Sequence, residues 1–519
     1  MVLCGVDLHG VNCVKCNLRW YDSLFILLFA YFFILQLQAI WSFTIDDMYI
    51  SLRYAKNWAA GYGLVWNVHA PPVEGYSNFS YVALATLALL FNLNPVTMLK
   101  IAGVVGLFLT CYFVYLLSRF WFAKRESLLP CLCLLSYKGQ IIWTVAGLET
   151  TMYEALICAS VYFCLRGMGY QLAPNNRSRA KHHFFILAGF LLALAGFTRP
   201  EAPVFMVLLF LLTCLDRPKV ELRHYWLGAF LFCLTITIVF LPYFAWRLYY
   251  FGYLFPNSVY CKGIANVFTF SLDRTYLKLI WPFALLAIPA CLMAPDKRHY
   301  FLWLPSLAYL VMLADSDPIV AFENRLFLPA FALLLPLAAQ GLAVVLFWYL
   351  QSKDKVYLFF FYFFFIGIIF FFVPKMTLAD YRYFSKNPVK GEQLRQQVLD
   401  WLKSHTTSVK RVVLADCGMI PYFSDLEFID SYCLNNLAMA HYPAAHRYEQ
   451  FCREIFPTKP SVIILTSLVE KGRVIYTPSD QCLKALLEKQ HDYKLQKTFI
   501  SNDANATYRY EVFTHTDDF

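Results

Sequence analysis

Thr44–Ser80 reads T-I-D-D-M-Y-I-S-L-R-Y-A-K-N-W-A-A-G-Y-G-L-V-W-N-V-H-A-P-P-V-E-G-Y-S-N-F-S. It follows a long apolar run, Leu24–Phe43, and opens on two adjacent carboxylates, Asp46 and Asp47. An amphipathic segment leads to Gly61-Tyr62-Gly63. A second acidic turn, Val73-Glu74-Gly75-Tyr76-Ser77-Asn78, then returns the chain to apolar sequence. Ionisable groups at the mouth of a membrane span are costly to hold there, so their presence points to function. The alternative is that Asp46 and Asp47 cap a helix at the membrane surface.

The surrounding composition decides the class. Of 519 residues, 59% are hydrophobic and 15% charged, which excludes an ordinary soluble enzyme and indicates a polytopic membrane protein. A net charge of +10 is modest for this length and fits basic loops on the cytoplasmic side better than nucleic-acid binding. Most of the 16 cysteines are scattered through apolar runs, where Cys acts as a small hydrophobe. Cys4, Cys13 and Cys16, with His9, match no closed zinc spacing.

Outward from the first stretch, Lys15 and Arg19 precede Leu24–Phe43 and place residues 1–23 in the cytoplasm, with 44–79 as the first outer loop. Apolar runs then recur as far as residue 374, giving roughly a dozen candidate spans at ~20 residues each. Two of them, at 79–93 and 98–118, conflict with their own flank. If both cross, the basic segment Arg119–Arg125 lies outside, where basic loops are disfavoured. Residues 24–375 are thus expected to form a transmembrane domain. Beyond 376 the apolar runs become short and β-branched, at Arg411–Ala415 and Ser461–Leu465, with a helix-like polar segment at Gly391–His405. That alternation predicts a soluble α/β domain over 376–519, on the extracytoplasmic side.

As a helix, Asp46–Ala60 carries Asp46, Ile50, Arg53 and Asn57 on one face and Asp47, Tyr54 and Trp58 on the next. An ionised carboxylate there can take a proton from a sugar hydroxyl. Further polar residues interrupt the apolar runs: Glu149 in G-L-E-T, Arg199 and Glu201 in T-R-P-E, Arg247, Asn257 and Lys262 in W-R-L-Y-Y-F-G-Y-L-F-P-N-S-V-Y-C-K, and Asp315, Asp317, Glu323 and Arg325 before Phe327-Leu328-Pro329. Each alone reads as an interfacial anchor or an intramembrane ion pair. Their number is hard to justify by packing.

These motifs resemble integral-membrane glycosyltransferases of the GT-C fold. The closest resemblance is to the bacterial group that includes the terminal arabinofuranosyltransferase of mycobacterial cell walls. It rests on D-D-M-Y-I-S-L-R-Y-A-K-N-W-A-A-G-Y-G-L-V-W-N and V-E-G-Y-S-N, then on the motifs above, on E-N-R-L-F-L-P, and on A-D-C-G-M-I-P-Y-F-S and I-D-S-Y-C-L-N-N in the tail. The resemblance implies a GT-C-like transmembrane bundle with a C-terminal α/β domain, in a bacterial inner membrane. It implies transfer of a sugar, arabinofuranose among the candidates, from a polyprenyl-phosphate donor to an envelope glycan or glycolipid. Asp47 or Asp46 is then the catalytic base, with Glu74 and Glu149 as fallbacks. Arg53, Glu74, Tyr76, Asn78, Glu149, Arg199, Glu201, Arg247, Asn257, Lys262 and Arg325 are the candidates for donor and acceptor binding, with Arg199, Arg247, Lys262 and Arg325 facing the donor phosphate. No cofactor is called for and no metal is indicated. The competing readings are a lipid-linked glycan flippase, against which the lack of a visible inverted repeat counts, and a non-catalytic envelope-assembly protein.

Overall fold

The computed structural model describes residues 20–172, 177–218, 221–262, 274–293, 296–314, 322–351, 355–386, 389–405, 410–470, 472–501 and 507–517. Cys4, His9, Cys13, Cys16, Asp315 and Asp317 lie outside these residues. The chain forms two compact units. The first comprises Met1–Ala39, Lys100–Ala245 and Phe268–Thr377; the second comprises Ile40–Leu99, Trp246–Val267 and Leu378–Phe519.

The first unit is a bundle of apolar helices, and the chain is a multi-pass membrane protein. Among the described residues five helices are long and apolar enough to cross a membrane: Pro95–Ser118, Leu222–Phe251, Arg274–Met293, Phe322–Leu350 and Lys355–Phe372. A pair of helices bent by 67°, Glu126–Ser136 and Lys138–Val145, makes six if it is counted as one span. Other apolar runs form shorter helices, such as His182–Thr198 and Ala202–Leu215. Phe322–Leu350 is the hub, with 78% of its apolar window buried, against 22% for the phenylalanine-rich Lys355–Phe372. Phe359, Phe363, Phe370 and Phe371 on that outer helix are exposed, as lipid-facing side chains are.

Two polar layers bound this bundle. At one end Asp216 takes Arg177 (3.3 Å) and Lys297 (3.2 Å), and Asp296 accepts the Trp121 indole N–H (2.8 Å). At the other, Lys138 meets Glu323 (2.7 Å), while Arg199 and Arg325 meet Glu149 (2.6 and 3.1 Å). The 14-residue Ala202–Leu215 helix, flanked by Glu201 and Asp216, joins one layer to the other.

The conflict at Arg119–Arg125 turns on the length of Phe79–Leu90. Its 12 residues form a helix of about 18 Å at 1.5 Å per residue, short of the ~30 Å hydrocarbon core. Of the two runs, Pro95–Ser118 is the one whose helix is long and apolar enough to cross a membrane.

In the second unit the tail forms a six-stranded mixed sheet. Its strands are β1 (Arg411–Leu414), β2 (Glu427–Asp430), β3 (Val462–Glu470), β4 (Arg473–Tyr476), β5 (Tyr493–Ile500) and β6 (Thr507–His515). The order is β2-β1-β3-β6-β5, with β4 paired to β3. β1 runs parallel to β2 and β3; β3 pairs antiparallel with β4 and β6, and β5 with β6. Alternation along the strands sends Val412, Leu414, Val462, Ile464 and Val512 to one face, covered by Leu394, Val398 and Leu402 of the Val389–Ser404 helix. Val413, Ile463, Leu465 and Phe513 face the other way, onto Phe451, Ile455, Leu483 and Leu487 of the Arg447–Ile455 and Pro478–Leu487 helices. Two disulfides, Cys261–Cys433 and Cys452–Cys482, lie in this unit.

Candidate functional site

The Asp46–Ala59 helix begins after an extended Ile45, whose side chain cannot cap it. Both aspartates sit in its first turn, where the positive end of the helix favours them. Gly61 ends it with φ +88°, a conformation that suits glycine. The two faces expected from the sequence have different surroundings.

The face of Asp46, Ile50, Arg53 and Asn57 is packed against the tail and the turn at 65–67. Asp46 accepts the backbone N–H groups of Gly418 and Met419, each at 3.0 Å, and lies 3.2 Å from the Arg395 guanidinium. Arg53 is buried and donates to the carbonyls of Trp66 (2.8 Å), Leu426 (3.1 Å) and Pro421, and to Asn67 Oδ1 (3.0 Å). Its guanidinium also stacks 4.7 Å from the Trp66 ring centre. Asn57 donates to the carbonyls of Val65 and Trp66. The Asp46 carboxylate therefore bonds another segment rather than capping its own helix.

The stripe that starts at Asp47 continues through Ser51, Tyr54 and Trp58, and the second acidic turn covers it. Ser51 donates to Asn78 Oδ1 (2.8 Å), and the Tyr54 hydroxyl lies 2.7 Å from the Val73 carbonyl and accepts Gly75 N–H. The Tyr54 and Tyr76 rings meet edge to face at 4.8 Å, and Trp58 meets Phe79. Glu74, at the centre of that turn, takes Arg247 by both carboxylate oxygens (2.8 and 2.5 Å), and its carbonyl accepts Asn257 N–H (3.0 Å). Glu74, Tyr76, Asn78, Arg247 and Asn257 are thus gathered around one turn, and Asp47 belongs to the same unit. Lys262 ends the short Asn257–Lys262 helix, and its side chain lies outside the described residues.

Burial sets the electrostatics here. It pushes the Asp46 carboxyl up, assisted by Asp416 and Asp47, against the opposing pull of Arg395 and the Met419 N–H. Burial also pushes Glu74 up to about 7 while Arg247 works against it, and lowers Arg53 to about 10.

Glu149, Arg199, Glu201 and Arg325 form a separate cluster inside the first unit. Glu149 is fully buried and holds both arginines; Arg199 also takes Glu201 through two nitrogens (2.9 and 2.7 Å). Arg325 lies 5.3 Å from the Trp143 ring centre. Lys138, paired with Glu323 at the same layer, carries no signal in the sequence. Nor do Arg395, Tyr508 and Tyr510, which gather around Asp46 with Asp416 of the A-D-C-G-M-I-P-Y-F-S motif. Among the described residues no group of three or more His, Cys, Asp or Glu side chains is placed to hold a metal.

A family profile described as a domain of unknown function (DUF8728) matches residues 381–513. No curated protein matches the chain. Among solved structures, it is similar to ArnT from Cupriavidus metallidurans bound to undecaprenyl phosphate. The identity is 14%, over 94% of this chain and 98% of that one, with a TM-score of 0.57. It is also similar to the oligosaccharyltransferase AglB from Archaeoglobus fulgidus in complex with an inhibitory peptide and a dolichol-phosphate. There the identity is 11%, over 93% of this chain and 80% of that one, again with a TM-score of 0.57. At these identities the likeness establishes the fold, which is GT-C-like.

Proposed function

We propose that this chain is an inverting glycosyltransferase that moves a sugar from a polyprenyl-phosphate donor to a hydroxyl of a cell-envelope glycan or glycolipid. The observation that carries this reading is the Asp47 stripe of the Asp46–Ala59 helix, faced by the turn of Glu74, Tyr76 and Asn78 in a chain of GT-C-like fold. The undecaprenyl phosphate and dolichol-phosphate bound by the similar structures support a lipid-linked donor. Arabinofuranose is one sugar the reading admits.

In this reaction the acceptor hydroxyl attacks the anomeric carbon from the face opposite the phosphate. The new carbon–oxygen bond forms as the bond to the lipid phosphate breaks. Asp47 takes the hydroxyl proton, and the lipid phosphate leaves with the electron pair. Asp46 is less suited to that task, because two backbone N–H groups already donate to its carboxylate and the Arg395 guanidinium lies beside it. Arg199, Arg247, Lys262 and Arg325 remain the candidates for stabilising the leaving phosphate.

The reading places the second unit outside a bacterial inner membrane. Both disulfides lie in that unit, whereas eight of the nine described free thiols sit in the first. Stable disulfides belong to oxidising compartments. A reporter fused after Phe519 is therefore expected to be active only in the periplasm.

The deciding experiment assays purified Asp46→Asn, Asp47→Asn, Glu74→Gln and Glu149→Gln proteins with a synthetic lipid-phosphate sugar. Loss of a general base typically costs ~10² to 10⁴ in rate, so Asp47→Asn should nearly abolish transfer with the fold intact. Full activity in Asp47→Asn moves the base to another carboxylate. A wild-type chain that transfers no sugar from any polyprenyl-phosphate donor overturns the reading.

A further inference from the structure

Several residues of the Asp46–Ala59 helix meet the tail: Tyr49 packs on Tyr422 and Phe423, Arg53 bonds tail carbonyls and Lys56 pairs with Asp425 (3.0 Å), while Asp46 makes the ionic contact of the first turn. Its carboxylate accepts two consecutive backbone N–H groups, from Gly418 and Met419, and faces Arg395 of the Val389–Ser404 helix. The same guanidinium reaches Asp416 at 3.1 Å. Asp416 in turn accepts the hydroxyls of Tyr508 (2.5 Å) and Tyr510, both on β6. The Arg395 guanidinium also lies 5.6 Å from the Tyr508 ring centre. A side chain at Gly418 would overlap the Asp46 carboxylate and carbonyl, so this approach requires glycine.

The charges do not balance within this group. Asp46 and Asp416 share one guanidinium, and Asp47 adds a third carboxylate one residue away. Partly buried charges of one sign are costly unless compensated, and Arg395 is the cation that reaches both Asp46 and Asp416. Cohesion with the tail is already supplied by Tyr49, packed on Tyr422 and Phe423, and by Arg53, without that desolvation cost at the first turn. What an ionic contact adds is orientation. Successive residues of a helix are turned by about 100°. Fixing Asp46 on the tail therefore fixes the direction in which Asp47 leaves the helix, toward the stripe that Ser51 and Tyr54 continue.

We propose that Arg395 is a positioning residue for the transfer step, acting through Asp46 to fix the first turn of the Asp46–Ala59 helix and with it the Asp47 carboxylate. The inference rests on the functional reading above and deepens it: among the contacts between the helix and the tail, the Arg395–Asp46 ion pair is the one that bears on the transfer step. Arg395 touches neither substrate in this account. Its removal leaves substrate binding intact and misplaces the base, and a displacement of about 1 Å costs roughly 10²-fold in rate.

The test measures kcat and KM for the full-length protein in detergent, with a synthetic polyprenyl-phosphate sugar, for wild type, Arg395→Gln and Arg395→Lys. Arg395→Gln is expected to lower kcat by roughly 10²-fold, with KM for the donor unchanged. Arg395→Lys, which keeps the cation but loses the fork, is expected to fall between it and wild type. A merely structural role would lower the amount of folded protein and leave kcat per folded molecule unaltered. If Arg395→Gln does not fold, Arg395→Lys decides: reduced kcat at unchanged KM supports the inference, and wild-type kcat overturns it. Wild-type kcat in a folded Arg395→Gln protein overturns it as well, while leaving the functional reading in place. A wild-type chain without transferase activity overturns both.

Discussion

Arg247 holds Glu74 by both carboxylate oxygens, Nε to Oε1 at 2.8 Å and Nη2 to Oε2 at 2.5 Å, with both side chains buried. Removing one partner of such a pair strands the other charge without water. Arg247→Ala should therefore destabilise the protein by roughly 3–5 kcal/mol, whereas replacing both partners together should cost less. Thermal unfolding of Arg247→Ala, Glu74→Gln and the double variant in one detergent checks this. A double variant no more stable than Arg247→Ala would show that the pair is not what holds the acidic turn.

Asp480 gives the tail a pH dependence of determined sign. It is fully buried in the first turn of the Pro478–Leu487 helix and accepts Thr466 N–H (2.9 Å) and the Ser431 hydroxyl (3.4 Å). Burial raises its carboxyl from the ordinary 3.8 to about 7. The folded state thus favours the protonated acid more than the unfolded state does. The resulting stabilisation is complete below pH 3.8 and is lost as pH rises through about 7. Hydrogen exchange of the β3 amides should accordingly show easier opening at pH 8 than at pH 5.5, after correction for the intrinsic rate. Asp480→Asn should flatten that difference. An unchanged slope in the variant would assign the effect elsewhere.

The Cys261–Cys433 disulfide closes 172 residues of sequence and ties the Asn257–Lys262 helix to the tail. Disulfides over long loops stabilise by roughly 2–5 kcal/mol. Paired Cys261→Ser and Cys433→Ser substitutions should lower the melting temperature. Added reductant should have little further effect at this position. Membrane-impermeant maleimide applied to intact spheroplasts should label Cys433 only after reduction. Labelling without reductant would contradict the disulfide.

The sequence was most informative where the chemistry is local. The Asp46–Ala59 helix ends one residue from its expected limit because the glycines after it mark the stop, and its two faces follow from 3.6-residue periodicity alone. β1 and the start of β3 were visible as short β-branched runs, since both strands are buried on both faces. β5 was not, because its Y-K-L-Q-K-T-F-I pattern reflects an edge strand that is largely exposed. Hydropathy alone does not tell a run that forms a short apolar helix, such as Ala202–Leu215, from one that forms a helix of 18 residues or more. That the Asp46 face meets this part of the tail was not legible. Gly418 lies in the A-D-C-G-M-I-P-Y-F-S motif, but nothing local ties that motif, Arg395 or Tyr508 to an aspartate so far along the chain.

Glu149, fully buried between Arg199 and Arg325, supports the last prediction. Two guanidiniums brought together on one carboxylate repel each other, and Glu149 and Glu201 offset that repulsion in the resting protein. A donor phosphate adds charge as it leaves, and arginine is the side chain best suited to meet it with two parallel hydrogen bonds. Arg325→Ala should then weaken transfer by ~10- to 100-fold, the value of a hydrogen bond to a charged group. Arg325→Lys should restore only part of it, because the ammonium keeps the charge without the fork. Glu149→Gln should act differently, lowering stability by leaving the arginines less well compensated. Steady-state kinetics on Arg199→Ala, Arg247→Ala, Lys262→Ala and Arg325→Ala, each referred to its folded fraction, separate these effects. If all four turn over normally, the phosphate is bound by other residues and this cluster serves to hold the helices together.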